Sequence, residues 1–399
     1  MRILVLSPSS PIPPHTGGKL RVLHSLIHLS SSHEVSLVSL FEGHEEATFL
    51  ASELQEYCNE VYLFRNASSR SRAVFKTMIS GYPYQIARFW SPEAYSFIRD
   101  TLKKERFDLV WCHVISTSVY CGQDSDVPVL LDTQNDDVLQ WSRLARTSRS
   151  PLKRAMGYVE ARKMAKFRRE RASLFDIILT VSEKEAQLAQ QWAHKGTQIW
   201  LAPNGVDVRH YRFVMQDKDE DIIVFCGAMD VNRNVEAVLF FMGEVFPMLA
   251  NEVPDIEFRV VGRNPARSIL RFQDVANVTI TGTVDDVRPH YTQAKVAVAP
   301  SKLGGGTKLK VLEAMAMGVP VVATSTGAQG LDVEDGIHLF VEDEPRSFAE
   351  RVVMLLRNEP ERERIAQNAR ALVERKYSWE SLFKDLDSRL AEYMEARNR

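Results

Sequence analysis

The sequence predicts an α/β protein built on parallel sheets. Short apolar runs alternate with helical stretches along most of the chain. One segment, 299–324, reads APSKLGGGTKLKVLEAMAMGVPVVAT, a strand, a glycine loop, a helix and a second strand, which is a βαβ unit. The 399 residues are 45% hydrophobic and 26% charged, an ordinary globular composition long enough for about two domains, each with its own core.

The first strand is predicted from Arg2 to Ser7. The loop to Gly18 carries four prolines and cannot be helix or central strand. A helix follows, with Leu20, Leu23 and Ile27 spaced to face inward. Gly17 and Gly18 make either a tight turn or a place where an anion approaches the backbone. Strands are predicted at 33–40 and 61–64, with a helix at 45–57 between them. Residues 70–106 read as amphipathic helix interrupted at Gly81-Tyr82-Pro83. The strand 107–114 ends in His113. A histidine there either meets a ligand outside the carboxyl ends of the strands or is hydrogen-bonded inside the domain, and from the residues alone the second is the commoner case.

Another apolar strand, 127–132, is followed by Asp132, Asn135, Asp136 and Asp137, which either border a ligand or cap the next helix. The helical segment 141–171 holds eleven Arg or Lys against Glu160 and Glu170. It is either a solvated face or a surface drawn to anionic lipid headgroups. Ser182 and Glu185 mark a capping box after the strand 176–182. The polar stretch 208–221 reads as a linker.

The second half opens with the strand 221–227 and an amphipathic helix at 235–248. Strands follow at 256–262 and 278–282, and Val296 to Ala299 leads into the βαβ unit. Its loop is Gly304, Gly305, Gly306 and Thr307, where a helix should begin. Lys308 and Lys310 in the first turn favour an anion, and Glu313 falls on the same face as Lys310. Gly318 is placed to end the helix and Pro320 to prevent its continuation. By themselves these features fit a capped core helix as well as a phosphate site. A late strand at 336–341, helical residues 345–376 and a final helix complete the chain.

Composition excludes several classes. A net charge of −2 gives no general reason for nucleic acid. No apolar run reaches the roughly 18 residues of a membrane span, and the four apolar residues after Arg2 are too few for a signal peptide, so a cytoplasmic protein is expected, with a possible peripheral place at the inner membrane face. The four cysteines lack CxxC spacing and read as buried thiols. Three DxD triplets, at 124–126, 217–219 and 385–387, have no convincing strand-end setting, so no protein-held metal or other cofactor is expected. Neither GxSxG nor HExxH occurs.

Pro300-Ser301, Leu312-Glu313-Ala314-Met315-Ala316 and Pro203-Asn204-Gly205-Val206-Asp207 resemble the signatures of family 4 glycosyltransferases, nearest to a subgroup associated with exopolysaccharide production. The resemblance implies the type B fold, two facing Rossmann-like domains with the donor sugar in the cleft. These would be 1–207, completed by a helix at 378–399 that crosses back, and 208–377. It implies that Gly17 and Gly18 face the donor diphosphate, that His113 contacts the sugar, that the backbone near Val284 meets the base, and that Glu313 accepts from the ribose hydroxyls. Gly304 to Thr307, with Arg233 and Lys310, would hold the diphosphate. The chain departs from the pattern twice. Gly305 stands where the family has a glutamate that contacts the sugar, and Ala228 where it has an arginine on the phosphates. Arg233 is the best candidate for the family's second basic residue, and Lys308 or Lys310 could supply the missing charge.

The expected function is retaining transfer of a hexosyl unit from a nucleotide-diphosphate sugar to a glycan or lipid-linked saccharide. The alternatives are a non-hydrolysing sugar-nucleotide epimerase and a silent nucleotide- or glycan-binding scaffold, the latter suggested by Gly305.

Overall fold

The computed structural model describes residues 1–42, 46–66, 69–122, 126–148, 150–214, 219–303 and 308–398. The predicted loop Gly304–Thr307 lies outside the described residues. The chain divides into two compact units, Met1–Ala202 and Pro203–Arg399.

The first unit is a seven-stranded sheet in the order β3-β2-β1-β4-β5-β6-β7. Its strands are β1 (Arg2–Ser7), β2 (Glu34–Phe41), β3 (Glu60–Arg65), β4 (Leu109–His113), β5 (Val129–Asp132), β6 (Ile177–Thr180) and β7 (Gln198–Leu201). The second unit is a six-stranded sheet, β10-β9-β8-β11-β12-β13. It is made of β8 (Ile222–Cys226), β9 (Glu257–Val261), β10 (Val278–Gly282), β11 (Val296–Ala299), β12 (Val321–Ala323) and β13 (Phe340–Val341). Every pairing is parallel. β4, β5, β6, β8 and β11 are buried along their whole length, as strands covered by helices on both faces must be. In each sheet the strand order reverses direction once, between β1 and β4 and between β8 and β11, and ligands of such sheets bind at that switch point, outside the carboxyl ends.

The helix Gly17–Leu29 forms where predicted but is turned about its axis. Val22, Leu26 and Leu29 are buried with Arg21 and Ser25, whereas Leu20, Leu23 and Ile27 are only half-buried. Two polar side chains enter the interior because the strand ends hold partners for them, described below. Gly17 and Gly18 are the first residues of this helix, capped by the Thr16 hydroxyl, which accepts from the Lys19 amide. The predicted helix 70–106 is three helices, Arg70–Ser80, Tyr84–Arg88 and Pro92–Lys104, the first ended by Gly81 at φ 71°. The basic segment is two helices, Asp137–Thr147 and Pro151–Glu170. They approach closely at Gly157, where a Cβ would come within 2.7 Å of the Ala145 amide. The late strand 336–341 contracts to Phe340–Val341.

In the βαβ unit the helix runs Leu309–Ala316 and ends as predicted. Gly318 takes φ 77°, and the Val319 amide donates back to Ala314. Residues 203–207 and the helix Trp379–Asn398 are grouped with the second unit, not the first. The cause is local. Val206 pairs with Ser378, and Trp379 covers Gly205 so closely that a Cβ there would lie 2.6 Å from the indole.

Backbone crowding is tightest at Gly262, after β9. It holds φ +146°, and a Cβ would fall 1.8 Å from the Gly227 carbonyl oxygen. Gly262→Ala is expected to destabilise the second unit by about 2–4 kcal/mol. Calorimetry should show its transition lowered by roughly 5–15 °C. Gly243→Ala, at a site with nothing within 4 Å, is the matched control and should shift it far less.

Candidate active site

At the carboxyl edge of the second sheet, the helix Leu309–Ala316 sends Lys310 back across the end of β8. Its ammonium lies 3.7 Å from the centre of the Phe225 ring and donates to Asn234 Oδ1 at 2.8 Å. Asn234 is buried and donates from its Nδ2 to the Ala228 carbonyl at 2.8 Å. Gly227 leaves the room for both: a Cβ there would lie 2.8 Å from Asn234 and 2.9 Å from Lys310 Nζ. Burial is the main force on the ammonium and lowers its pKa to about 7. Arg233 and Lys308 push the same way, against Cys226 and Glu313.

Glu313 stands one turn further along. Tyr291 donates to its carboxylate at 3.4 Å and to the Lys310 carbonyl at 3.1 Å, and Tyr211 is a second hydroxyl partner. Burial raises the carboxyl's pKa, and Lys310 and the two tyrosines only partly reverse this. Its surface remains partly accessible. The result is a cation and a carboxylate on one helix face, each held by neutral hydrogen-bonding groups. Lys308 is buried at the start of the helix. The preceding Pro300-Ser301 turn is pinned by Thr324, whose hydroxyl donates to the Ser301 carbonyl at 2.6 Å. Val284, in the loop after β10, is partly buried against the core that contains Tyr291.

The edge of the first sheet carries a second buried charge. Arg21 Nε donates to Asp132 Oδ2 at 2.6 Å, with both side chains almost fully buried. Burial alone would raise the Asp132 carboxyl, but Arg21 and His113 outweigh it and hold the group at about 2. His113 is wholly buried. Its Nδ1 lies 3.3 Å from Asp132 Oδ2 and 3.3 Å from the Gln134 amide nitrogen, and its Nε2 lies 3.0 Å from Ser25 Oγ. Residues on both sides of this cluster are strained. Val114, a β-branched residue, holds φ 61°, and Gln134 holds φ 53°. Gln134 Oε1 also lies where a Cβ on Gly18 would be, at 2.7 Å.

The predicted residues therefore fall into two groups. Lys308, Lys310, Glu313 and Val284 gather at the second sheet, and Gly17, Gly18 and His113 at the first. His113 departs from the expectation of direct sugar contact. Both its nitrogens are engaged inside the unit, so Ser25 or Gln134 must yield before it can meet a ligand. Arg233 is exposed, and its neighbour Asn234 takes the inward position and holds Lys310. Asp136 caps its helix, accepting from the Leu139 amide at 2.7 Å, and also pairs with Arg168 at 2.8 Å. Sequence reasoning missed Arg21, Ser25, Gln134, Tyr211, Asn234 and Tyr291. None lies in a motif; each is recruited by a partner distant in sequence. Among the described residues, no group of three His, Cys, Asp or Glu could hold a metal ion.

The sequence profile described as Glycosyl transferases group 1 matches residues 220–358. An uncharacterized 44.6 kDa protein in the cps region of Klebsiella pneumoniae is 24% identical over 96% of this chain and 98% of its own length. The phosphatidyl-myo-inositol mannosyltransferase of Mycobacterium tuberculosis H37Rv is 30% identical over 49% of this chain and 54% of its own. The chain thus aligns with about half of that enzyme. Among solved structures, sucrose-phosphate synthase from Thermosynechococcus elongatus superposes with a TM-score of 0.70 at 16% identity, covering 99% of this chain and 100% of that one. HepE of Anabaena in complex with UDP-glucose superposes with a TM-score of 0.68 at 14% identity, covering 98% and 100%. The second unit thus contains a Glycosyl transferases group 1 domain, and the whole chain shares with these glycosyltransferases the type B fold of two Rossmann-like halves.

Proposed function

We propose that the protein is a retaining glycosyltransferase of family 4 that moves a hexosyl unit from a nucleotide-diphosphate sugar to a glycan or lipid-linked saccharide in exopolysaccharide synthesis. The observation that carries this reading is the pairing of Lys310 and Glu313 on one helix face at the switch point of the second sheet. The occurrence of a relative in a cps region, and of UDP-glucose on HepE, supports the substrate classes.

Each residue then has a physical task. An ammonium packed against Phe225 is poorly solvated, so an arriving diphosphate has little hydration to displace. Lys310 stabilises the charge that grows on the leaving phosphate, with the amino end of its helix adding partial positive charge. Arg233, Lys308 and the loop Gly304–Thr307 are assigned to the same diphosphate. Lys310 thus supplies the charge that the family places at the position of Ala228. Glu313, fixed by two tyrosines, accepts from the ribose hydroxyls, and the backbone by Val284 lies against the base. In the first unit, Gly17 and Gly18 offer first-turn amides to an anion, and His113 acts on the sugar side once Gln134 has moved. The leaving phosphate takes the acceptor proton, so no protein nucleophile and no protein-held metal are required. The protein is placed in the cytoplasm, with 141–171 facing anionic lipid. Gly305 keeps one rival open, a nucleotide-binding scaffold without turnover.

Release of nucleotide from UDP-, GDP- and dTDP-sugars, with and without a polyprenyl-diphosphate-linked saccharide, tests the reading. Acceptor-dependent release should fall about 100- to 1000-fold in kcat/KM in Lys310→Met. In Glu313→Ala the nucleotide Kd should rise about 10- to 100-fold. Tight binding with no release across the panel would instead establish the scaffold.

The position of Lys310 also predicts a pH dependence. Below its pKa of about 7 the ammonium is already charged; above it, a bound diphosphate must draw a proton back onto the amine. Nucleotide affinity should therefore fall as pH rises from 7 to 9, by at most about tenfold per unit for one proton. Titration calorimetry in buffers of different ionisation heat should detect this uptake, and Lys310→Met should abolish it.

A further inference from the structure

The helix Arg70–Ser80 is amphipathic in the wrong sense for a core helix. Its inward residues, Ala73 and Thr77, are small. Its large apolar residues, Phe75, Met78 and Ile79, point outward and are 64%, 74% and 71% exposed. Their spacing places them in one stripe opposite Ala73 and Thr77, with Arg72 and Lys76 along its edge.

The helix Pro151–Glu170 repeats the pattern beside it. Its inner face is Gly157, Glu160, Ala161, Met164 and Phe167. Leu152, Met156 and Val159 recur at intervals of four and three and remain exposed, Leu152 at 79%. Lys163 continues that side of the helix and donates to the Thr77 carbonyl at 2.6 Å, so Arg70–Ser80 touches this helix at its inward residue Thr77. The two helices are fastened by one buried carboxylate. Glu160 accepts from the Thr77 hydroxyl at 3.2 Å and from the Tyr84 amide at 2.6 Å. The two helices that carry the apolar stripes are thus fastened to one another by fixed contacts.

The charge around them is predominantly positive. Lys153, Arg154, Arg162, Lys166 and Arg169 are on Pro151–Glu170, and no acidic residue occurs in Arg70–Ser80. Glu160 is consumed by the fastening, which leaves Glu170 as the one exposed carboxylate of the longer helix. A chain of net charge −2 has concentrated cations on a surface that also exposes six large apolar side chains. Protein interfaces are depleted in lysine, whereas apolar residues bordered by lysine and arginine suit the boundary between headgroups and acyl chains.

We propose that Arg70–Ser80 and Pro151–Glu170 form a bipartite membrane-docking surface. Phe75, Met78, Ile79, Leu152, Met156 and Val159 enter the acyl boundary of an anionic bilayer, while the flanking basic residues lie among the headgroups. This deepens the reading of 141–171 as a lipid-facing segment and rests on it. It adds that insertion, with a second helix outside that segment, is needed as well as charge.

Flotation with vesicles of phosphatidylcholine alone or with 30% phosphatidylglycerol (about a third anionic lipid) tests it without any sugar substrate. The wild-type chain should float with the anionic vesicles and keep part of its binding at 0.5 M salt. Replacing Phe75, Met78 and Ile79 with serine should weaken binding at least tenfold. Circular dichroism should not change, because these side chains are exposed. Lys153→Glu with Arg154→Glu should remove the preference for anionic lipid. If the serine variant binds like the wild type and salt alone releases both, the insertion proposal fails while the charge reading stands. If the wild type binds neither vesicle, both fail. If light scattering shows a dimer that the serine variant loses, the surface takes a second copy and the proposal is overturned.

Discussion

A parallel sheet ends all its strands on one edge, and the functional chemistry of this protein follows from that constraint. The strand ends gather loops and helix starts from positions far apart in the chain. At β1 and β4 they bring together Arg21, Asp132, His113 and Gln134. At β8 and β11 they bring together Lys310, Asn234, Glu313 and Tyr291. Each set contains a charge that burial opposes. In the first unit Asp132 is kept ionised by an arginine; removing one member of such a buried pair typically costs about 3–5 kcal/mol, because the other is left uncompensated. In the second unit the ammonium is held by a neutral amide and an aromatic face, and the nearby Glu313 does not outweigh its burial. It is therefore poised to change its protonation when an anion arrives.

These edges work only because small residues make room. Gly227 admits Lys310 and Asn234, Gly18 admits Gln134, and Gly262 passes the Gly227 carbonyl. The same crowding gives physical sense to one departure from the family pattern. Ala228 leaves no arginine at the end of β8, yet Lys310 brings its cation to that strand end from the next βαβ unit. The strain at Val114 and Gln134 lies immediately beside His113, where rigid placement of a buried ring needs over-determined neighbours.

Periodicity was readable, but direction was not. In Gly17–Leu29 the leucine spacing pointed one way, and the helix is turned by Arg21 and Ser25, whose partners lie on β4 and β5. Arg70–Ser80 is turned further, so that its larger apolar side faces out. In both helices a hydrophobic stripe was visible in the letters. What each stripe faces depends on elements that are remote in the chain. The same limit explains Arg233 and Asn234: adjacent residues of similar polarity exchanged roles, because a helix start rotates about 100° per residue.

The strands, the βαβ unit, the stop at Gly318, the basic segment and the residue types at the second sheet were determined by the sequence itself, because each rests on local sterics or a short period. The exchange of partners at the strand ends, the enclosure of His113, the lowered proton affinity of Lys310 and the outward face of Arg70–Ser80 were decided by tertiary structure. Burial and dielectric are properties of what surrounds a group, and those surroundings are assembled only when distant strands share an edge.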